Sequence, residues 1–214
     1  MNRELIDFTV SSVKTLGLTI DTIQAEQFVR YLNHLIEWNK AINLTAIIDP
    51  KEIIIKHFVD SLAALAATTI SQHCLLLDVG TGGGFPGLPL KIARPDIRLV
   101  LVEPVQKKCS FLHSIIGLLR LHDISIFNGT ISEYSKILPQ LDIETVVVRA
   151  LKFDEIQQYI PSFLKSRGTV VMYRTESLAD TRIGDMFHLL SEREFLLPYG
   201  AGKRVISLVE LVKL

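Results

Sequence analysis

One segment of the chain dictates much of its surroundings: Leu75-Leu76-Leu77-Asp78-Val79-Gly80-Thr81-Gly82-Gly83-Gly84-Phe85-Pro86-Gly87. An apolar run that ends near an acid and breaks into clustered glycines predicts a buried strand turning into a ligand-cradling loop. Glycine serves there because it reaches φ > 0 and, lacking Cβ, lets backbone approach a ligand closely. The next apolar run, residues 97–102, ends at Glu103, 23 residues after Gly80. An acid at that place is positioned to accept hydrogen bonds from both ribose hydroxyls of an adenosine. Asp78 discriminates among adenosine cofactors, since a carboxylate beside the turn repels a pyrophosphate and attracts the α-ammonium of a methionine moiety. Phe85-Pro86-Gly87-Leu88-Pro89 interrupts what would be a straight run into a long helix in a dinucleotide fingerprint, leaving a helix over Gly87–Ala93. These features favour S-adenosylmethionine over an NAD-type cofactor or a purely structural glycine loop.

The rest of the chain supplies a scaffold of matching kind. Its 214 residues suit one domain with a small helical addition, and 48% hydrophobic residues exclude a disordered chain. No apolar run approaches the ~20 residues of a membrane span, and the start lacks a signal-peptide pattern, so the cytoplasm is the expected location. Cys74 and Cys109 sit in apolar patterns and are expected as buried free thiols, with no metal site. Equal numbers of basic and acidic residues, 23 each, exclude indiscriminate polyanion binding but permit a local basic face.

Residues 1–70 read as a helical extension. Ile23, Phe28, Leu32, Leu35 and Ile36 recur at mostly helical spacing, and Asp49-Pro50-Lys51-Glu52 offers an N-cap, a Pro at N1 and an acid at N3 for a helix over residues 50–66. Residues 71–214 read as an α/β domain, with strands near 75–79, 98–102, 124–127, 144–149 and 168–174 alternating with helices. Tyr199-Gly200-Ala201-Gly202 between two apolar runs predicts a hairpin at one sheet edge. A mostly parallel Rossmann-like sheet closed by a C-terminal antiparallel hairpin is the build of class I methyltransferases.

Successive motifs along nearly the whole chain resemble one family. They are Trp38-Asn39-Lys40-Ala41-Ile42-Asn43-Leu44-Thr45, Lys56-His57-Phe58-Val59-Asp60-Ser61, the segment from Asp78 to Leu90, Lys107-Lys108 with Phe111-Leu112, and Arg149-Ala150. The chain resembles the RsmG family, also called glucose-inhibited division protein B, the 16S ribosomal RNA guanine-N7 methyltransferases. The resemblance implies S-adenosylmethionine as donor and N7 of a guanine in 16S rRNA, or in the small ribosomal subunit, as acceptor. It also implies that Ile131 and Ser132 hold the adenine, that Arg149 touches the methionine carboxylate or the substrate base, and that His57 lies near the RNA entrance. The family's Asp after the second strand is Glu103 here. Its basic residue before the adenine loop is Thr130, its Ser-Arg-Ala-Phe is Val148-Arg149-Ala150-Leu151, and its Lys-Gly is Arg174-Thr175.

The chemistry agrees with what is present and missing. Guanine N7 has a lone pair and no proton to lose, so transfer needs in-line placement rather than a general base. Cytosine C5 methylation needs a nucleophilic cysteine, and neither Cys is in a suitable loop. Exocyclic amines commonly need an Asn/Asp-Pro-Pro-aromatic turn, which Val148-Arg149-Ala150-Leu151 replaces. With the resemblance, the expected catalytic residues are Arg149 and His57. The expected cofactor contacts are Asp78, Gly80, Gly82, Gly84, Phe85, Glu103, Ile131, Ser132 and again Arg149. For several of these an ordinary structural role stays open: a surface ion pair for Arg149, a helix-packing bond for His57 and Asp60, capping or inter-helix contacts for Asn39 and Asn43, and a plain helix start at Ser132-Glu133. Lys107, Lys108, Arg120, Lys152, Arg174, Lys203 and Arg204 are candidates for the basic face. No heptad or large apolar helix face stands out, which predicts a monomer. Two further functional readings remain at this stage: methylation of another nucleic acid or a small molecule, and a non-catalytic S-adenosylmethionine-binding module.

Overall fold

The computed structural model describes residues 2–137, 142–178 and 183–212. Three N-terminal segments precede the sheet: α1 (Arg3–Lys14), α2 (Thr22–Asn39), and a continuous helical run made of α3 (Pro50–Ile53), a π-helical turn (Ile54–Val59) and α4 (Asp60–Ala67). Local chemistry explains the starts. Asp21 and Gln24 close a reciprocal capping box at α2, and the Asp49 carboxylate accepts from the Glu52 N–H ahead of Pro50. The expected helix over 50–66 is present, with the π turn in its middle as the feature that periodicity did not reveal.

Strands and helices then alternate: β1 (Leu75–Val79), α5 (Gly87–Ala93), β2 (Arg98–Glu103), α6 (Gln106–Leu119), β3 (Ile124–Asn128), α7 (Ile131–Ile137), β4 (Ile143–Arg149), α8 (Phe153–Ile156), β5 (Leu164–Arg174), β6 (Phe187–Leu196) and β7 (Lys203–Leu211). They form a seven-stranded sheet of order β3-β2-β1-β4-β5-β7-β6. β1 to β5 pair in parallel, while β7 runs antiparallel to β5 and β6. This is the expected class I methyltransferase build, and the hairpin falls at the expected edge. Two strands are longer than their apolar cores. β5 begins before a pairing irregularity that places Arg167 at φ 61. β6 carries Ser191-Glu192-Arg193-Glu194, charges tolerated because it is an edge strand.

Strand alternation sorts side chains between two cores. Leu76, Leu99, Leu101, Val147, Val171, Tyr173 and Ile206 face the N-terminal helices, α5 and α6. Leu77, Val79, Val100, Val146, Val148, Val170 and Met172 face α7 and α8. The first core is shared by both parts of the chain, since Phe28, Tyr31, Phe58 and Leu62 pack in it with Leu88 and Phe111. Polar side chains of α2 fasten the contact by satisfying helix carbonyls that lack intrahelical donors. Gln24 Nε2 donates to the Ile92 carbonyl (2.9 Å) near the end of α5, and Arg30 to the Leu118 carbonyl (2.7 Å) near the end of α6.

Tyr31, fully buried, donates its hydroxyl to the buried Gly83 carbonyl. Its ring stacks on Phe85, with centroids 5.6 Å apart. Tyr31→Phe keeps the ring and leaves that carbonyl without a donor. Urea unfolding is expected to show a loss of about 1–3 kcal/mol, and an unchanged midpoint would remove this bond from the account of loop stability.

Candidate functional site

The parity that divides the cores also assembles the site. Asp78 lies opposite Val147 on β4, and Arg149 opposite Tyr173 on β5, which in turn lies opposite Ile206 on β7. Asp78, Glu103, Arg149, Tyr173 and Arg204 thus share one sheet face, toward the carboxyl ends of the parallel strands, where ligands of α/β folds bind. The helical run from Pro50 to Ala67 covers that face and brings His57 and Asp60 to it.

Around β1 the backbone forms a tight cradle. Gly80, Gly82 and Gly84 have φ of 69°, 58° and 93°. A Cβ at Gly84 would meet Tyr31 and Leu88 within the fold, whereas one at Gly82 would meet nothing within 4 Å. The first glycine is needed by packing, and the second keeps open space beside the backbone. Asp78 is completely buried. Its Oδ2 accepts from Thr81 Oγ1 (2.6 Å) and the Gly87 N–H (2.8 Å), while Oδ1 has no partner. Burial pushes its carboxyl up to about 6, against these two hydrogen bonds and the Arg149 charge. Glu103 accepts from the Gly82 N–H (2.8 Å) and the Val105 N–H (2.9 Å), tying the second strand to the loop. These observations fit an S-adenosylmethionine-sized group: open space at Gly82, an unmatched buried carboxylate oxygen for an ammonium, and a second carboxylate with acceptor capacity beyond its two present donors.

Ile131 and Ser132 open α7, both half-buried. Thr130 and Glu133 cap that helix reciprocally: the Thr130 N–H and hydroxyl donate to Glu133 Oε2, and Thr130 Oγ1 accepts from the Glu133 N–H. Thr130, which stands where the family often has a basic residue, is thus a cap. The turn before it is held beside Glu103, because Asn128 Nδ2 and the Gly129 N–H both donate to the Glu103 carbonyl.

On the other side of Arg149 lies a continuous polar network. Arg149 donates to Asp60 Oδ2 (3.1 Å), to the Lys56 carbonyl (3.2 Å) and to His57 Nδ1 (3.2 Å). Arg204 grips the same Asp60 carboxylate, reaching Oδ2 at 2.7 Å. Because guanidinium only donates, His57 Nδ1 must accept, and the neutral ring carries its proton on Nε2, which donates to Thr45 Oγ1 (2.7 Å). Thr45 in turn is held by Asn39, whose side chain bonds its N–H and carbonyl. Asn39 therefore fastens the loop that follows α2, its Oδ1 also accepting from the Leu44 N–H (2.8 Å), and caps no helix. The His57 ring stacks on Phe85 at 4.6 Å, and the Arg149 guanidinium lies 5.1 Å from the same ring. Phe85 is only 5% exposed, so its ring is occupied by Tyr31, His57 and Arg149.

Burial, and then the Arg149 charge, hold the His57 imidazole down at about 3. It is neutral at any physiological pH and is placed to orient rather than to carry protons. The π turn contributes here, since it spans His57 and leaves the Lys56 carbonyl available to Arg149. Tyr173, which sequence reading missed, donates to the Ser61 carbonyl (2.5 Å) and is buried beneath Arg149. Its signal was its place on β5, one strand over from Arg149 and at the same parity.

These groups floor a cleft of about 780 Å³ whose cations are Lys56, Arg149, Arg174, Lys203 and Arg204, against one carboxylate, Glu176. Three of the seven basic-face candidates converge there: Arg174, Lys203 and Arg204. Lys107, Lys108, Arg120 and Lys152 lie outside its lining. Among the described residues no cluster suited to a metal ion occurs, and both cysteines are buried free thiols. No helix among them is long and apolar enough to cross a membrane.

A family model described as GidB, rRNA small subunit methyltransferase G, matches residues 24–194. A relative from Lachnoclostridium phytofermentans named "Ribosomal RNA small subunit methyltransferase G" is 35% identical over 196 residues, 91% of this chain and 78% of its own length. Another of the same name from Leuconostoc citreum is 35% identical, over 96% of this chain and 90% of its own. Among solved structures, MtNAS in complex with MTA and tNA superposes with a TM-score of 0.61 at 13% identity, covering 99% of this chain and 78% of that one. TrmN from Thermus thermophilus gives 0.57 at 14% identity, over 72% of this chain and 48% of its own. At such identities the structural likeness speaks for the fold alone.

Two results are expected from this geometry. Asp60→Ala removes the shared counter-charge of two largely buried guanidinium groups and should cost about 3–5 kcal/mol in denaturant unfolding. The depressed imidazole of His57 makes the unfolded chain bind the extra proton between about pH 6.5 and 3. Its contribution to stability is therefore complete above 6.5 and lost as pH falls, by up to about 1.4 kcal/mol per pH unit. Asp78, raised from 3.8 to about 6, acts in the opposite sense between those values. Comparing parent and His57→Gln from pH 7 to 4.5 isolates the histidine. The variant should lose less stability on acidification, and parallel curves would refute the buried neutral imidazole.

Proposed function

The chain belongs to the rRNA small subunit methyltransferase G family, and we propose that its cationic cleft presents N7 of one guanine of 16S rRNA to a methyl donor held at the glycine loop. The coarser activity, S-adenosylmethionine-dependent methylation of small-subunit rRNA, is the family's. The finer reading rests on one observation: at the end of β4 the cleft is lined by a neutral, doubly bonded imidazole and a guanidinium, neither able to take up a proton at neutral pH, while the nearby Asp60 carboxylate is fully buried outside the lining and held by two guanidinium groups. A nucleophile that must first lose a proton is poorly served there. Guanine N7 needs only to be placed in line.

S-adenosylmethionine, when bound, supplies a methyl group on a sulfonium centre. The roles assigned to this chain follow from its side chains. Asp78, through its unmatched Oδ1, faces the ammonium, and Glu103 accepts from the ribose hydroxyls. Gly80 and Gly84 hold the loop's left-handed turns, and Gly82 leaves room for the ligand. Ile131 and Ser132 flank the adenine. Arg149 meets the methionine carboxylate or the guanine edge, held by Asp60 and His57, while Phe85 supports both from below as a positioning residue. Lys56, Arg174, Lys203 and Arg204 engage phosphates, which fix register without reading sequence. We place the reaction in the cytoplasm and assign it to a monomer, with residues 1–70 as an extension and 71–214 as the methyltransferase domain.

The test is transfer of labelled methyl to small ribosomal subunits from cells lacking this gene, with the modified nucleotide mapped. One labelled guanine N7 is expected, and label on any other atom overturns the N7 reading. Arg149→Ala should lower turnover about 100-fold, the scale of a lost positioning group, with Asp60 still paired to Arg204. Full activity would remove Arg149 from the site. Gly82→Val puts a branched side chain into the open space at φ 58° and should abolish cofactor binding in calorimetry. Because Asp78 must be ionised to face an ammonium, affinity should fall as pH drops below about 6, and Asp78→Asn should bind weakly with that dependence gone.

A further inference from the structure

The tip of the β6–β7 hairpin carries an unusual arrangement. Tyr199 is 67% exposed and occupies the left-handed region at φ 57°, a conformation disfavoured for a bulky side chain. One face of its ring stacks on Phe8 of α1, with centroids 5.1 Å apart and planes 21° from parallel. Lys51 lies over the Phe8 ring at 5.4 Å. A hollow of about 620 Å³ runs beneath, lined by Phe8, Tyr199, Lys51 and Lys56, and it shares Lys56, Ala201 and Gly202 with the cationic cleft. The two depressions therefore adjoin at Lys56, Ala201 and Gly202, one on the Arg149 side and the other on the side of the hairpin tip.

Core packing does not explain an aromatic held at a strained turn with most of its surface in water. We propose that Tyr199, backed by Phe8, is a stacking platform for a base of the RNA strand adjacent to the methylated guanine, with Lys51, Lys56 and Lys203 taking the phosphates between the two sites. This inference rests on the RNA-methylating reading above and adds a second nucleotide subsite to it. Stacking on an exposed ring tolerates any base and binds single-stranded nucleic acid. The lysines are now paired with exposed carboxylates: Lys51 with Glu4 (2.7 Å), Lys56 with Glu52 (2.9 Å) and Lys203 with Glu194 (3.0 Å). Such surface pairs contribute little, so phosphate displaces them at small cost. The alternative occupant, a protein of the small subunit, has less to meet there, because the lining around the Tyr199–Phe8 pair is Lys51, Glu52, Lys56 and the small residues Gly200, Ala201 and Gly202, with Ile55 as its one large aliphatic side chain.

The informative variant is Tyr199→Gly, which removes the ring and its stacking on Phe8 while relieving the left-handed backbone; its urea midpoint, set against the parent's, separates a weaker fold from a lost base contact. KM for small ribosomal subunits should rise roughly 5- to 100-fold, the range of one lost base stack, with kcat and cofactor affinity unchanged. Tyr199→Trp should restore it. An unchanged KM, or a fall in kcat alone, overturns the platform. A direct readout uses Tyr199→Trp in a Trp38→Phe background, where the new indole is the chain's single Trp. Quenching by a single-stranded oligoribonucleotide supports base stacking, and no quenching at RNA concentrations that bind the protein refutes it. Should the parent chain transfer no methyl to small subunits, the proposed function fails, and the quenching result still decides on the platform.

Discussion

A single buried carboxylate organises this site. Asp60 comes from the N-terminal helical run, Arg149 from the end of β4 and Arg204 from the hairpin strand β7, and all three meet in one ion-paired group. Two guanidinium groups around one carboxylate leave one positive charge in excess, turned toward the cleft. The arrangement holds strands separated by β5 in fixed relation to the covering helix. The chain of polar contacts from His57 through Thr45 to Asn39 extends outward from it. Buried ion pairs are weak as sources of stability but demanding in geometry. Here that geometry keeps Arg149 extended over Phe85 instead of free to rotate.

The π turn is the second determinant. An uninterrupted α-helix from Pro50 to Ala67 would direct its side chains with a different phase after residue 54. Six residues of wider winding bring His57 and Asp60 to Arg149 together and open the Lys56 carbonyl to the same guanidinium. The wider turn and the short glycine loop thus meet at Phe85, whose ring stacks with both His57 and Tyr31.

Much of this was legible in the residues. The glycine run, Glu103 and the strand alternation dictated a Rossmann-like sheet, and the apolar cores of β1 to β5 lay where expected. Arg149 stood out because a charge at the carboxyl end of an otherwise apolar strand has few structural uses. Other features were hidden for identifiable reasons. A π turn has no signature in a hydrophobic pattern, and β6 is interrupted by Ser191-Glu192-Arg193-Glu194, too polar to register as a strand. Tyr173 resembled one more core aromatic until pairing placed it beside Arg149. The basic face depended on long-range assembly: Arg174, Lys203 and Arg204 reach the cleft because β5 and β7 are neighbours, and α6 carries Lys107 and Lys108 elsewhere.

The grip of α2 on the glycine loop bears on how such a chain can change over time. Tyr31 holds Gly83, while Gln24 and Arg30 finish the ends of α5 and α6, the two helices that follow β1 and β2. Recombination at residue 70 would exchange a sheet domain complete in its strands but lacking the partners of its loop and helix ends. Such a sheet is no interchangeable cassette. Changes in the N-terminal helices and in the glycine loop must therefore match one another, whereas the hairpin tip, whose Tyr199 stacks on Phe8, is held by fewer such bonds and is freer to vary.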